Sequence, residues 1–223
     1  MSTATPSHHP TQQLLSAHAS GALSPAVNRI IAAHASLCLH CRNTLNRLEA
    51  VGGALLEDQP VDDLDDGALE KALSAISMLP LPLQSSVFPQ ELSALPAQLR
   101  EIISAAIGKA TWQSAGPGLK CLELDLPATA KGESFQVFRI ESGSGPPRHT
   151  HGGQEFTLVL TGAFKDETGL YRRGDIAIGN ETITHRPVAE PGEVCFALAV
   201  TTAPIKFKGP LGLLQRVLNL GRG

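Results

Sequence analysis

Aromatic side chains are scarce in this 223-residue chain: one Trp, one Tyr and seven Phe, 4% of the residues. Its cores must therefore be filled by Leu, Ile, Val and Ala, within a 42% hydrophobic composition. Long apolar runs are missing as well. The stretch 78–83 is interrupted by Pro80 and Pro82, and nothing approaches the roughly 20 residues needed to span a bilayer. Residues 1–10 lack the basic and apolar regions of a secretory signal. No basic excess exists either: the net charge is -3 and the pI about 6.2, which argues against a nucleic-acid binder. These absences predict a cytoplasmic protein with no membrane span and no direct nucleic-acid partner. In that compartment its four cysteines suit metal binding or redox chemistry better than structural disulfides.

The charge that is present is uneven. Residues 1–110 carry 6 basic and 10 acidic side chains, and residues 111–223 carry 12 and 11. An acidic N-terminal half suits a basic partner such as a DNA-binding protein, or simply a solvated loop at Asp58, Asp62, Asp63, Asp65 and Asp66.

The texture changes along the chain. Helical spacing is read over 11–20, ended by Gly21, and again after Ser24-Pro25, an N-cap followed by proline at the first helical position. Further helical stripes are Leu45, Leu48, Val51 and Leu55, then Leu69, Leu73 and Ile76. Pro80, Pro82 and Pro89 mark a linker around 79–92. A late amphipathic stripe follows: Leu95, Leu99, Ile102 and Ile103. Beyond residue 111 come short β-branched and aromatic runs flanked by glycine at 136–140, 156–161 and 194–201, the pattern of an antiparallel sandwich or barrel. The expected class is α+β in two domains: a helical bundle over 1–110 and an antiparallel β-barrel over 111–205, with a basic tail at 206–223.

Two clusters carry chemistry. The first is His34-x3-Cys38-x2-Cys41. Positions four apart share a helix face, and the C-x2-C spacing brings a second thiol within reach of the same ion. Such a set suits zinc, which prefers tetrahedral N and S donors. His9 can fold back as a fourth ligand, with His8, His18 and His40 as competitors. A C-x2-C pair can also be redox-active, but that use normally accompanies a βαβ pattern, which is not seen.

The second cluster is His149-x-His151-x3-Glu155, between Gly143 and Gly162. Residues two apart face the same side of a strand, so both histidines enter one cavity. Glu155 has the same parity, and His185, eleven residues after Gly174, is the expected fourth ligand. This pattern is similar to the two metal-binding motifs of the cupin barrel, with Asn180, Thr182 and Ala189 standing where the second motif usually has proline, glycine and asparagine. Ligand type alone does not choose among Zn, Fe, Mn, Ni and Cu.

Taken together, His8-His9-Pro10, Leu14-Leu15 and His34-x3-Cys38-x2-Cys41, with the cupin pattern downstream, resemble the zinc-binding anti-sigma factors of the ChrR type. The resemblance implies His9, His34, Cys38 and Cys41 as zinc ligands and a zinc-organised helical bundle. It implies zinc in the cupin as well. It further implies an extracytoplasmic-function sigma factor as partner, released on an oxidative signal (singlet oxygen or an organic hydroperoxide) sensed through the cupin. In that reading Leu95, Leu99, Ile102 and Ile103 embrace the sigma factor, or else close the helical core. Cys121 and Cys195 are candidate redox switches, or small buried apolar residues. The protein is then no enzyme; the alternative is an Fe- or Mn-dependent cupin dioxygenase with a helical appendage.

Overall fold

The computed structural model describes residues 5–78, 90–93, 95, 97–107, 111–124 and 132–208. Most of the expected linker, most of the tail and the side chain of Ile102 lie outside them.

Local capping explains where the first helices begin. Thr11 accepts from Leu14 N ahead of α1 (Gln12–Ala19), and Ser24 accepts from Val27 N ahead of α2 (Pro25–Leu37). The extended backbone of Cys38 (φ -117°, ψ 105°) ends α2 and starts α3 (Leu39–Glu57). Then come α4 (Ala68–Met78), a 3-10 turn at Gln90–Leu92 and α5 (Ala97–Ile107).

The strands are β1 (Gln113–Gly116), β2 (Leu119–Glu123), β3 (Ser134–Ile140), β4 (His149–Thr150), β5 (Glu155–Thr161) and β6 (Ala163–Lys165). They continue with β7 (Leu170–Arg172), β8 (Ile176–Gly179), β9 (Thr184–His185), β10 (Val188–Ala189), β11 (Cys195–Thr201) and β12 (Lys206–Phe207). One antiparallel sheet has six strands in the order β1-β2-β3-β11-β5-β8. Facing it are two three-stranded sheets, β10-β6-β7 and β12-β4-β9. The expected barrel is therefore corrected to an open sandwich. Strands β4, β9, β10 and β12 have two residues each, too few to carry a continuous ladder round to the large sheet.

Alternation along the long strands divides the protein into two cores. Phe135, Val137, Phe156, Leu158, Leu160, Leu198 and Val200 join Ile30 and Ile31 of α2 and Leu99 and Ile103 of α5 in one cluster. Each such side chain contributes about 1.5–3 kcal/mol when fully buried, so helices and sheet stabilise each other. The opposite sheet face builds a smaller cluster with Phe164 and Tyr171.

The two late helices behave oppositely. Leu95, Leu99 and Ile103 are buried, so in this conformation they close the core and are not presented to a partner. No residue of α4 is buried. Its Leu69, Leu73, Ile76 and Met78 are exposed, as are Val51, Leu55 and Leu56 in the second half of α3. Among the described residues, no helix is long and apolar enough to cross a membrane.

Candidate metal centres

The break between α2 and α3 creates the first centre. His34 sits in the last turn of α2, Cys38 at the junction and Cys41 in the first turn of α3. His9 comes from the extended segment before α1. Donor atoms of these four residues all lie within 4.8 Å of one another. His34 Nε2 is 3.3 Å from Cys41 Sγ, and His9 Nδ1 is 3.4 Å from Cys38 Sγ and 3.6 Å from Cys41 Sγ. A tetrahedron built on Zn–N of about 2.0–2.1 Å and Zn–S of about 2.3 Å has edges of roughly 3.3–3.8 Å, so the donor set fits zinc. The competing histidines are placed elsewhere: His8 faces Asp175 and Tyr171, while His40 lies beside His9 without joining the cluster.

The electrostatics suit a cation. Burial, against a partial opposing effect of the Gly174 carbonyl, lowers the His34 pKa to about 4. The ring is thus neutral at pH 7: Nδ1–H donates to the Gly174 carbonyl at 2.8 Å, and Nε2 is left with its lone pair toward the thiols. Burial and the neighbouring Cys38 push the Cys41 thiol up to about 12. A divalent ion supplies the positive charge that lets thiols in such a place ionise.

The second centre draws on the β12-β4-β9 sheet and on the first residue of β5, an inner strand of the large sheet. His149 and His185 are direct partners in the β4–β9 ladder. His151 follows β4, and Glu155 opens β5 after the Gly152-Gly153 turn. The Nε2 atoms converge, His151 to His185 at 3.1 Å and His185 to His149 at 3.2 Å, with Glu155 Oε2 at 3.7 Å from His151 and 3.6 Å from His185. Gly179 makes room: a Cβ there would sit 3.0 Å from His151 Nε2.

Outer partners orient two of the rings. His149 Nδ1–H donates to the Pro147 carbonyl (2.8 Å), and His185 Nδ1–H donates to Asp166 Oδ2 (2.7 Å), the carboxylate–histidine arrangement that fixes a ligand's tautomer. Burial lowers the pKa of His149 and His151. At His185 burial works in the same direction, but Asp166 and Glu155 outweigh it and raise the pKa to about 9. The two carboxylates thus favour a cation at this point, met by protonated His185 when no ion is present and by a divalent cation on the converging Nε2 atoms when one is. The donors fit a hard or borderline metal without selecting one.

As redox switches, Cys121 and Cys195 are poorly placed. Cys195 is fully buried and its thiol is pushed up to about 12, while burial and Glu123 raise that of the half-buried Cys121. Both shifts work against the thiolate form that oxidation favours.

Asp166, Tyr171 and Asp175 escaped the sequence reading, although Asp175 directly follows Gly174 in the second cupin motif. Asp175, 2% exposed, accepts from the backbone N–H groups of Ser7 (2.6 Å), His8 (3.0 Å) and Arg172 (2.8 Å). Ile176 N donates to the His8 carbonyl. Gly174 has φ +89°, and a Cβ on it would sit 2.7 Å from Pro6. The β7–β8 turn thus straps down the segment that delivers His9, and also supplies the carbonyl that orients His34.

Helices gathering two histidines and two thiols, packed on a cupin-type sandwich gathering three histidines and a carboxylate, define a helix-plus-cupin protein with two candidate metal centres. The family described as the ChrR cupin-like domain matches residues 101–204. The anti-sigma-E factor ChrR of Cereibacter sphaeroides is 36% identical over 204 residues, 90% of this chain and 92% of that protein. A crystal structure of Rhodobacter sphaeroides SigE in complex with the anti-sigma ChrR aligns with TM-score 0.69 and 35% identity, covering 88% of this chain and 99% of that one. The chain belongs to the ChrR family of anti-sigma factors.

Proposed function

We propose that this protein is a cytoplasmic anti-sigma factor. Its helical part holds an extracytoplasmic-function sigma factor, and its cupin part senses an oxidative signal that triggers release. The observation that carries the reading is the exposed apolar face on α3 and α4, in a chain similar along almost its whole length to a protein that binds a sigma factor. Leu55, Leu56, Leu69, Leu73 and Ile76 are each more than half exposed, beside an acidic loop holding Asp58, Asp62, Asp63, Asp65 and Asp66. Exposed apolar surface rimmed by charge marks a protein interface, and the acidic rim suits a basic DNA-binding protein.

Zinc held by His9, His34, Cys38 and Cys41 would tie the N-terminal segment to the α2–α3 junction. The cupin ion, held by His149, His151, Glu155 and His185, would supply a Lewis-acidic, ligand-exchanging centre. A connected set of contacts runs between them. Asp166, bonded to His185, also accepts from Thr168; Thr168 meets the Tyr171 hydroxyl at 2.8 Å; and the Tyr171 ring packs on His8 at 4.4 Å. His8 precedes the zinc ligand His9. A change at the cupin centre therefore has a physical route to the helical one, and the size of that coupling is a measurable free energy.

The alternative of a cupin dioxygenase is disfavoured by the near full-length similarity to an anti-sigma factor. The test is transcription with purified polymerase and a sigma factor encoded beside this chain. Equimolar protein should abolish sigma-dependent transcripts, and restore them after oxidant treatment. Failure to bind any such sigma factor overturns the reading.

A further inference from the structure

The sheet face turned away from the helices is built from small residues where its other face is large. On β11, Ala197 and Ala199 alternate with Leu198 and Val200; on β5, Thr157 stands between Phe156 and Leu158. The large side chains fill the helical core, and the small ones leave a cavity of about 640 Å³ inside the sandwich. This lies within the roughly 300–1,000 Å³ typical of small-molecule sites. Leu119, Phe138 and Ile140 line one part, and His149, Glu155 and His185 line another. Among its described lining residues none is Lys or Arg.

We propose that this cavity binds an alkyl or aryl monocarboxylate, its head on the ion of the second centre and its tail between Phe138, Ile140 and the alanines of β11. The inference rests on the sensor reading of that centre and adds the chemical class of its ligand. Three of the four candidate ligands face the cavity, so an ion on them presents any open coordination position to the occupant. With no Lys or Arg among the described lining residues, and with His185 engaged as a ligand rather than free as an imidazolium, the ion would anchor an anionic oxygen head. An anion placed away from that end, among the apolar walls, would be left uncompensated at high cost. The tail gains from burial as any apolar chain does.

The test is calorimetric titration of the metal-loaded full chain with acetate, hexanoate and octanoate. Affinity should rise about fourfold per added methylene from hexanoate to octanoate. Ala199→Leu, which fills the cavity at a position that is no candidate ligand, should weaken octanoate at least tenfold while the metal content of both centres stays unchanged. Equal affinity for acetate and octanoate, or octanoate binding undiminished in the variant, overturns the proposal. If the variant does not fold, the chain-length series on the unaltered protein decides alone. Sigma-dependent transcription is measured in parallel. A flat series with inhibition intact removes the ligand only, whereas lost inhibition by the unaltered chain removes the anti-sigma reading.

Discussion

Replacing Asp175 with alanine should weaken zinc at the helical centre, although Asp175 is no ligand and belongs to the cupin part. The carboxylate is buried and accepts from the backbone of Ser7 and His8, the strap that delivers His9, and from Arg172 in its own turn. A hydrogen bond to a charged group is worth about 1.5–3 kcal/mol. The strap residues are exposed or half-buried, so water can satisfy their freed N–H groups and the lower bound applies. Two strap bonds then give about 3 kcal/mol of lost pre-organisation at His9, equivalent to roughly 100-fold in zinc dissociation constant. Competition with a chromophoric chelator measures this, in a Glu155→Ala background that leaves the helical centre as the main zinc load. Asp175→Asn, which keeps an oxygen acceptor but loses the charge, should fall between the two. Zinc affinity within threefold of the unaltered chain, in a folded Asp175→Ala protein, would refute the idea that the cupin turn positions the helical ligands.

Other expectations can be checked separately. Leu73→Asp with Ile76→Asp, both on the exposed face of α4, should leave the melting temperature within about 2 °C, as surface changes do, yet weaken the sigma complex at least tenfold by calorimetry. His149→Ala should remove the cupin metal while elemental analysis still finds one zinc per chain and transcription remains inhibited. The metal-free protein should lose stability as pH rises. The pKa of His185 is raised to about 9 from 6.5, so the stabilisation from its protonated form is complete below about 6.5 and lost through about 9. Melting curves from pH 6 to 10 should show that decline, flattened by Asp166→Asn and absent in metal-loaded protein.

The ligand clusters were legible because coordination chemistry constrains spacing: His34, Cys38 and Cys41 within eight residues, His149, His151 and Glu155 within seven. The long strands were legible from alternation, and β5 and β11 fall within a residue of the expected 156–161 and 194–201. Closure of the sheet was not, because it depends on two-residue strands whose pairing no periodicity records. The strap was invisible for a related reason. Asp175 binds Ser7 and His8 across 167 or more residues, and backbone donors leave no mark in a side-chain pattern.

The harder lesson concerns apolar stripes. Leu95, Leu99 and Ile103, leading into and along α5, and Leu69, Leu73 and Ile76 on α4 look alike as strings, each an amphipathic stripe of two to three turns. The first set is buried in the core that α2 shares with the sheet; the second faces solvent. Periodicity reports that a face needs covering, not whether this chain or another covers it. The surroundings do discriminate. The acidic loop, with Asp62, Asp63, Asp65 and Asp66, directly precedes α4, and so many like charges are costly to pack against the chain's own core. On the proposed reading α4 is the stripe left for a partner, and α5 the one that would have to leave the core before it could contact a sigma factor. The separation of the two roles is testable. Leu99→Asp should lower the melting temperature severely, because it leaves an unpaired charge in the core, whereas Leu73→Asp should cost sigma affinity with the fold intact. If both variants fold normally and both lose the partner, α5 is not the buried helix in solution, and the shared core between helices and sheet is dissolved in the working protein.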